Sequence, residues 1–545
     1  MKTTAHPQEI EVKFNEIKKY RHSLYSFLSM MPKGGDLHHH YSGSLYTETY
    51  IDFIIKENYF LNIKNLIVLK NIQNVKDDGN SYKRFSDLTS DELNEYRYRL
   101  LREWSVRDFN NTISNDEHFF NSFSKFDIAS KNYDFKEGLK ELKLRALSQK
   151  VSYIESMFIT CNTRLVKERH AYEMEIFNKK FFDFNKKIRL STDPISDESY
   201  NQFKAIGELV LSKFKSTIDD SAIYHNEIID DCLKDGINDG SFRMTFQNYV
   251  VRNLNPIDVF ISLAVSFESS SISKNINGIN IVSAENGVNS LLFYNIHMLF
   301  YRFFEEKYPN EKYCIHAGEL VSGMVRPEHL GVHIKKALSL KNLRRIGHGV
   351  DIIYDNDFSK TIAILKSRNE VNQELESNPQ LNFDLDFLNK CINEDKNYLV
   401  IEINLSSNDF ILNVKDDLHP VELYFRNKIP VVICSDDEGI LRTSMTEQFA
   451  LLAYKYGFGY NDIKKLCFDS LRYSHIKDDK IKKTLFQKLI DDFNEFETNI
   501  DDFISIYEVE SREVKSLENQ SDDFDLRREQ VSTFQTKFKG VAMNN

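Results

Sequence analysis

The chain has 545 residues, 41% hydrophobic and 13% aromatic, which is enough for a sizeable core in one large domain or a few smaller ones. Its 71 basic and 82 acidic residues leave a formal charge of −11, which argues against a polyanion such as nucleic acid as the main partner, because such binding needs clustered positive charge. The six cysteines are scattered without a CxxC pair, so neither a thiolate metal site nor a disulfide framework is expected. With no apolar leader and no run of about 18 apolar residues, the expectation is a soluble, cytoplasmic protein that does not span a membrane.

In chain order, eight short apolar runs with β-branched or aromatic residues predict strands. They are GGDLHHH (34–40), VSYIESMFIT (151–160), FRMTFQNYVV (242–251), INIVSAE (279–285), KYCIHAGE (312–319), LRRIGHG (343–349), YLVIEINLSS (398–407) and IPVVICSDD (429–437). Helical stretches separate them, such as GVHIKKALSL and VELYFRNK. Eight alternating units predict an α/β fold, a (β/α)8 TIM barrel with a long insertion between the first two strands and helical N- and C-terminal extensions. An open doubly wound sheet is the alternative, but no GxGxxG or GxxxxGK[ST] loop follows a strand. The expected division is a helical extension over 1–30, the barrel over 31–475 with its insertion at about 60–145, and a helical extension and tail over 476–545.

In the insertion, Thr89-Ser-Asp-Glu92 fits a capping box opening a helix, with Arg97, Arg99, Arg102 and Arg107 on it or just beyond. The plain reading is a solvated helix with ion pairs; the functional one is a lid or subunit contact over the barrel mouth. Residues 161–241 read as mixed polar helix and loop. The segment from about 476 has apolar residues at helical spacing, which suits packing on the barrel or on a second copy, so a homo-oligomer is one expected assembly.

Four strand ends carry polar clusters: His38-His39-His40, His316-Ala-Gly-Glu319, Gly347-His348-Gly349 and Asp436-Asp437-Glu438. Each is weak alone, but in a barrel the four ends converge on one mouth. Adjacent side chains in a strand point to opposite faces, so three consecutive histidines do not easily share one ion. Imidazoles and carboxylates without thiolates suit zinc, and also iron or other divalent ions. Three imidazoles, one carboxylate and a water predict metal-assisted hydrolysis, with a carboxylic acid or further imidazole moving protons.

At these residues the sequence resembles the adenosine deaminase family of the amidohydrolase superfamily. The resemblance rests on MPKGGDLHHHYSGSL, VSYIES, HAGE, RIGHG, LSSN (405–408), HP (419–420) and PVVICSDDEG, which run in family order from residue 31 to about 470. The long N-terminal and first-insertion segments are more similar to the larger, growth-factor-related or accessory members. The resemblance implies one zinc ion per chain held by His38, His40, His316 and Asp436. It implies that Glu319 protonates the purine N1, that His348 orients and helps activate the water, that Asp437 hydrogen-bonds the N7 edge, and that His39 faces the barrel wall. The implied reaction is hydrolytic deamination of adenosine, 2′-deoxyadenosine or their 5′-phosphates. The alternatives are another purine substrate, or a deaminase subunit of a larger assembly.

Two positions depart from the family pattern. Compact members carry an acidic residue where Ser42 stands, beside Gly43. A carboxylate there would repel a 5′-phosphate by about 1–4 kcal/mol within ~4 Å. Serine removes that penalty, and Arg326 or the arginines at 97–107 would then meet a phosphate. In INIVSAENG, Ser283 stands where a glycine would let the purine approach the backbone. Ser42, Gly43, Ser283 and Arg326 are therefore the expected substrate contacts beside Asp437.

Overall fold

The computed structural model describes residues 7–72, 81–110, 112–161, 163–191, 193–234 and 236–500. Eight parallel strands form the centre: β1 (Gly34–His40), β2 (Val151–Thr160), β3 (Arg243–Val251), β4 (Ile276–Val282), β5 (Tyr313–Ala317), β6 (Leu343–His348), β7 (Val400–Ile403) and β8 (Val431–Ile433). They pair as two curved halves, β1-β2-β3-β4 and β8-β7-β6-β5. One seam closes through Asp436 N–H to His38 O at 2.9 Å and His40 N–H to Asp436 O at 3.1 Å. At the other, Arg252 Nη2 donates to Ile281 O on β4 at 3.1 Å and to His316 O on β5 at 2.5 Å. The result is a (β/α)8 barrel. All eight expected runs become strands, with shifted ends. The fourth begins earlier, at Ile276, and the seventh stops at Ile403 because Leu405–Leu412 turns helical.

Helices α1 (Pro7–Ile17) and α2 (Arg21–Met30) precede the barrel. Buried Lys33 fixes the entry to β1, its Nζ donating to the carbonyls of Leu28 (2.5 Å), Met31 (3.0 Å) and Gln149 (2.8 Å). The insertion between β1 and β2 contains an antiparallel sheet of Phe60–Asn62, Val68–Leu69 and Tyr82–Arg84, which sequence patterning did not reveal because the strands are so short. The sheet leads to α3 (Ser90–Glu103), opened by the expected capping box between Thr89 and Glu92. Next comes α4 (Asn115–Ser130). The segment read as mixed helix and loop forms two long helices, α5 (Arg164–Ile188) and α6 (Asp197–Cys232), whose phenylalanines bury against the barrel's outer helices. At the C-terminal end, α7 (Tyr460–Arg472) packs across the start of β1. Helix α8 (Asp479–Thr498) packs on α7 through Phe468, Phe486 and Phe493. The expected tail lies in 501–545, outside the described residues. Among the described residues no helix is long and apolar enough to cross a membrane.

The barrel interior beneath the mouth is polar. Glu155 (β2), Gln247 (β3), Asn280 (β4), Arg345 (β6) and Glu402 (β7) are all buried there. Arg345 Nε donates to Glu402 Oε1 at 2.6 Å, and its Nη2 to Glu155 Oε2 at 2.5 Å. Buried charge is tolerable only when paired in this way.

Candidate active site

Strand alternation divides the three histidines. His38 and His40 point into the mouth, and His39 points the other way, its Nδ1 2.9 Å from Ser156 Oγ. At the C-terminal ends of the strands, the rings of His38 and His316 are 4.4 Å apart, and those of His40 and His316 5.4 Å. Asp436 Oδ1 sits 3.3 Å from His40 Nε2 and 3.6 Å from His38 Nε2. The orientation of each ring is set from behind. His38 Nδ1 meets Glu402 Oε2 at 2.6 Å, and His316 Nδ1 meets Asn280 Oδ1 at 2.9 Å. Both histidines therefore present Nε2 to the mouth, and His38 Nε2 is a buried nitrogen with no hydrogen-bond partner among the described residues. A buried orphan nitrogen converging with two further imidazoles and a carboxylate fits a divalent ion with nitrogen and oxygen ligands.

The charges are tuned by burial and neighbours. Burial pushes Glu402 up, but Arg345 and His38 outweigh it and hold the carboxyl down at about 2. Burial works the same way on Asp436, and His38, His40 and His348 bring it down to about 2. Glu319 moves in the opposite direction: burial, then Asp436 and Glu285, raise it well above the ordinary carboxyl value. Asp437 is also raised, by burial and by Asp436 beside it, and its Oδ1 is buried with no partner among the described residues. Burial thus favours the protonated, donating form of Glu319 and Asp437, and the neighbouring imidazoles favour the carboxylate form of Asp436.

His348 ends β6 with its Nε2 3.7 Å from Glu319 Oε1 and 4.0 Å from Asp436 Oδ2. A chain of bonds behind it defines its tautomer. Val421 N–H donates to His419 Nδ1 (3.1 Å), so His419 carries its proton on Nε2 and donates to Asn408 Oδ1 (3.0 Å). Asn408 must then present Nδ2 to His348 Nδ1, at 2.9 Å. His348 is therefore a neutral ring with its proton on Nε2, facing the site, and burial keeps it neutral by lowering its pKa to about 3.

His348, Asp436 and Ser283 all hold left-handed backbone, with φ of 66°, 64° and 85°. Three strained non-glycine residues at one mouth mark a place where geometry is favoured over local stability. Gly43 is required for a different reason: a Cβ there would lie 1.6 Å from Asp437 Oδ1. Ser283 turns its Oγ to Asn253 Nδ2 at 3.2 Å. Behind the HAGE turn, Glu285 accepts from Gly318 N (3.1 Å) and Glu319 N (2.7 Å) and pairs with His333 at 2.5 Å and Arg252 at 3.6 Å.

A cavity of about 250 Å³ opens onto these groups, lined by His40, Ser42, His316, Glu319, His348, Asp436 and Asp437 from the barrel and by Ser283. Its opposite wall is Phe119, Phe120 and Phe123 of α4, with Met157 and Tyr249. Helix α4 is tied across the mouth at its start: Asn115 Nδ2 donates to Phe410 O at 2.7 Å, and Asp116 accepts from Asn286 Nδ2 at 2.8 Å. The covering helix is therefore α4, while the arginine-bearing α3 follows the plain reading, with Arg97 paired to Asp52 and Arg99 to Glu95. Arg107 pairs with Asp108. Arg326 is not brought to the site: its side chain is 82% exposed and pairs with Glu328. Sequence reasoning missed the three phenylalanines, and the supporting Asn280, Arg345, Glu402, Arg252, Glu285 and His333. The only sequence signal for the former is the pattern FFNSF in an otherwise polar stretch.

The strand ends of this α/β barrel thus gather three imidazoles and a carboxylate, a donor set that could hold a divalent ion, beside a carboxyl raised by burial. The adenosine deaminase family model matches residues 227–492, so this part of the chain is similar to that family. Adenosine deaminase of Plasmodium gallinaceum is 26% identical over 161 residues, a match covering 29% of this chain and 39% of that relative's length. Among solved structures, the N6-mAMP deaminase of Arabidopsis aligns with a TM-score of 0.49 and 15% identity, over 86% of this chain and 99% of its own. An amidohydrolase of Burkhoderia ambifaria with bound zinc aligns with a TM-score of 0.45 and 14% identity, over 89% and 95%.

Proposed function

We propose that the chain hydrolyses the C6–N bond of an adenine nucleoside, releasing ammonia and leaving the hypoxanthine form. The observation that carries this reading is Glu319, its carboxyl raised by burial, in the lining of the same cavity as His40, His316 and Asp436, with His38 Nε2 3.6 Å from Asp436 Oδ1. His38, His40, His316 and Asp436 would hold one divalent ion such as zinc, which would supply Lewis acidity and lower the pKa of a water. Glu319 donates its proton to the ring N1, which makes C6 electrophilic. His348 Nε2–H, aimed into the site, steadies negative charge on the attacking oxygen; the Asp436 carboxylate takes a water proton that passes to the departing amine, and the second returns to Glu319 as the carbonyl forms. Asp437, whose carboxyl is held toward the protonated form by burial and Asp436, donates to N7. The phenylalanine wall stacks on or covers the ring and keeps bulk water out.

Two observations bear on the 5′ position. No lysine or arginine lines the cavity among the described residues, which favours a nucleoside over a nucleotide. Ser42 in the lining carries no charge, which favours tolerance of a phosphate and keeps AMP and dAMP as the second reading. The test is turnover by the zinc-loaded protein of adenosine, 2′-deoxyadenosine, AMP, dAMP and ATP, followed as loss of absorbance near the adenine maximum. Nucleosides are expected to be turned over fastest. Faster turnover of phosphates would select the second reading, and no turnover of any would overturn the proposal.

A further inference from the structure

A second cavity, of about 310 Å³, lies at the opposite end of the barrel, below the starts of β4, β5 and β7 and under the segment joining α7 to α8. Its lining is strongly basic: Lys312, Lys396, Arg472, His475, Lys477 and Lys482, against Asp395 and Asp479. Four of these cations are already paired, Lys312 with Asp395, Lys396 with Glu374 and Glu394, Arg472 with Asp469, and Lys477 with Glu311. Lys482 is different. It is 7% exposed, its Nζ donates to Ser474 O at 2.9 Å, and no carboxylate is within ion-pair reach among the described residues. Two further polar atoms on the same wall have no partner among the described residues: His475 Nε2, in a residue 4% exposed, and the hydroxyl of fully buried Tyr473. A buried lysine with spare donors, an imidazole nitrogen and a phenol, the last two without partners among the described residues, thus belong to residues that line one space. Burial, then the Lys312 charge, pulls Lys482 down to about 7, as expected for a cation whose counter-charge is missing.

We propose that this floor cavity binds a small oxyanion of the phosphate class, held by Lys482, His475 Nε2, Tyr473 OH and Lys312. The anion supplies the acceptors that these donors lack. The site is not isolated from the mouth. His475 N–H donates to Glu155 Oε1 at 2.6 Å, and Glu155, Arg345, Glu402 and His38 follow in unbroken contact. An anion seated at His475 is therefore at the far end of the same buried chain that orients His38.

The test is calorimetric titration of the metal-loaded full chain with inorganic phosphate, with chloride at equal ionic strength as control. One saturable site is expected. Lys482→Met and Lys312→Glu should each weaken it by at least about tenfold. Lys312 is partly exposed and pairs only at the surface, so Lys312→Glu keeps the test readable if Lys482→Met does not fold. Ser42→Asp, which places a negative charge in the catalytic cavity, should leave the floor site unchanged. Absence of saturable binding would overturn the proposal. So would binding abolished by Ser42→Asp but untouched by Lys312→Glu, which would place the phosphate in the catalytic cavity. The readout is independent of turnover, so it fails or succeeds separately from the proposed deamination.

Discussion

Asn408 Nδ2 lies 2.9 Å from His348 Nδ1 and, because His419 already donates to the other end of its amide, Asn408 is the donor. Asn404 Nδ2 stands 3.4 Å from the same nitrogen, so amide donors behind the ring, Asn408 the nearer, decide what it presents in front. Asn408→Asp replaces the donor by a carboxylate that accepts from both histidines. His348 would move its proton to Nδ1 and offer a lone pair to the site. The expected outcome is a loss of roughly two orders of magnitude in kcat with little change in KM, since a wrong tautomer costs heavily in comparable triads. Steady-state kinetics checks this; a variant within a few-fold of wild type would remove the tautomer argument.

Glu319 gives a pH signature. Its folded-state pKa is raised, first by burial, so the folded protein keeps a proton that the unfolded chain loses. The stability tied to that proton is present below the ordinary carboxyl range and is lost as pH rises through the raised value. Activity follows the same direction, because the acid form is the working one. The rate of the zinc-loaded enzyme is expected to fall on the alkaline side. Glu319→Gln should retain metal, lose about two or more orders of magnitude, and show no such limb. Retention of that limb in the variant would assign it to another group.

Glu402 offers a test of the metal site from behind. It orients His38 and neutralises Arg345, so Glu402→Gln should weaken zinc binding by about 10–100-fold. It also leaves buried Arg345 with Glu155 as its remaining carboxylate, at a cost of about 3–5 kcal/mol. Metal titration and thermal melts read the two effects separately. Chelation of the wild type should abolish turnover and lower Tm, and added zinc should restore both.

Ser42→Asp tests the 5′ argument. On the nucleoside reading, adenosine turnover should change little, while any turnover of AMP should fall about tenfold or more through charge repulsion. Equal loss on both substrates would mean that Ser42 acts by shape and not by charge.

Much of the catalytic constellation was legible because its members sit where apolar runs end. Strand ends in a barrel converge by topology, so the clusters at His38–His40, His316–Glu319, His348 and Asp436–Asp437 were expected at one mouth, while the choice of His38, His40, His316 and Asp436 as ligands came from the family resemblance. What supports them was not legible. Asn408 and His419 stood in recognisable motifs, yet the direction of their hydrogen bonds exists only once Val421 N–H is placed. Arg252, Glu285 and His333 meet across loops from three strands and read in sequence as isolated charges. Arg326 shows the reverse error: a basic residue near the HAGE motif in sequence that the fold turns out to solvent. Strand seven was overextended because Leu405 and its neighbours are as apolar as a strand, and helix won there.

The pocket is assembled from two parts with different histories in the chain. Its floor of metal ligands and acids belongs to the barrel, and its roof of Phe119, Phe120 and Phe123 belongs to an insertion docked at Phe410 and Asn286. Such an arrangement separates the reaction from the choice of what reacts. Substitutions along one face of α4 can reshape the cavity without disturbing the histidines and carboxylates at the strand ends, so what the cavity admits is free to drift on a helix that those residues do not constrain.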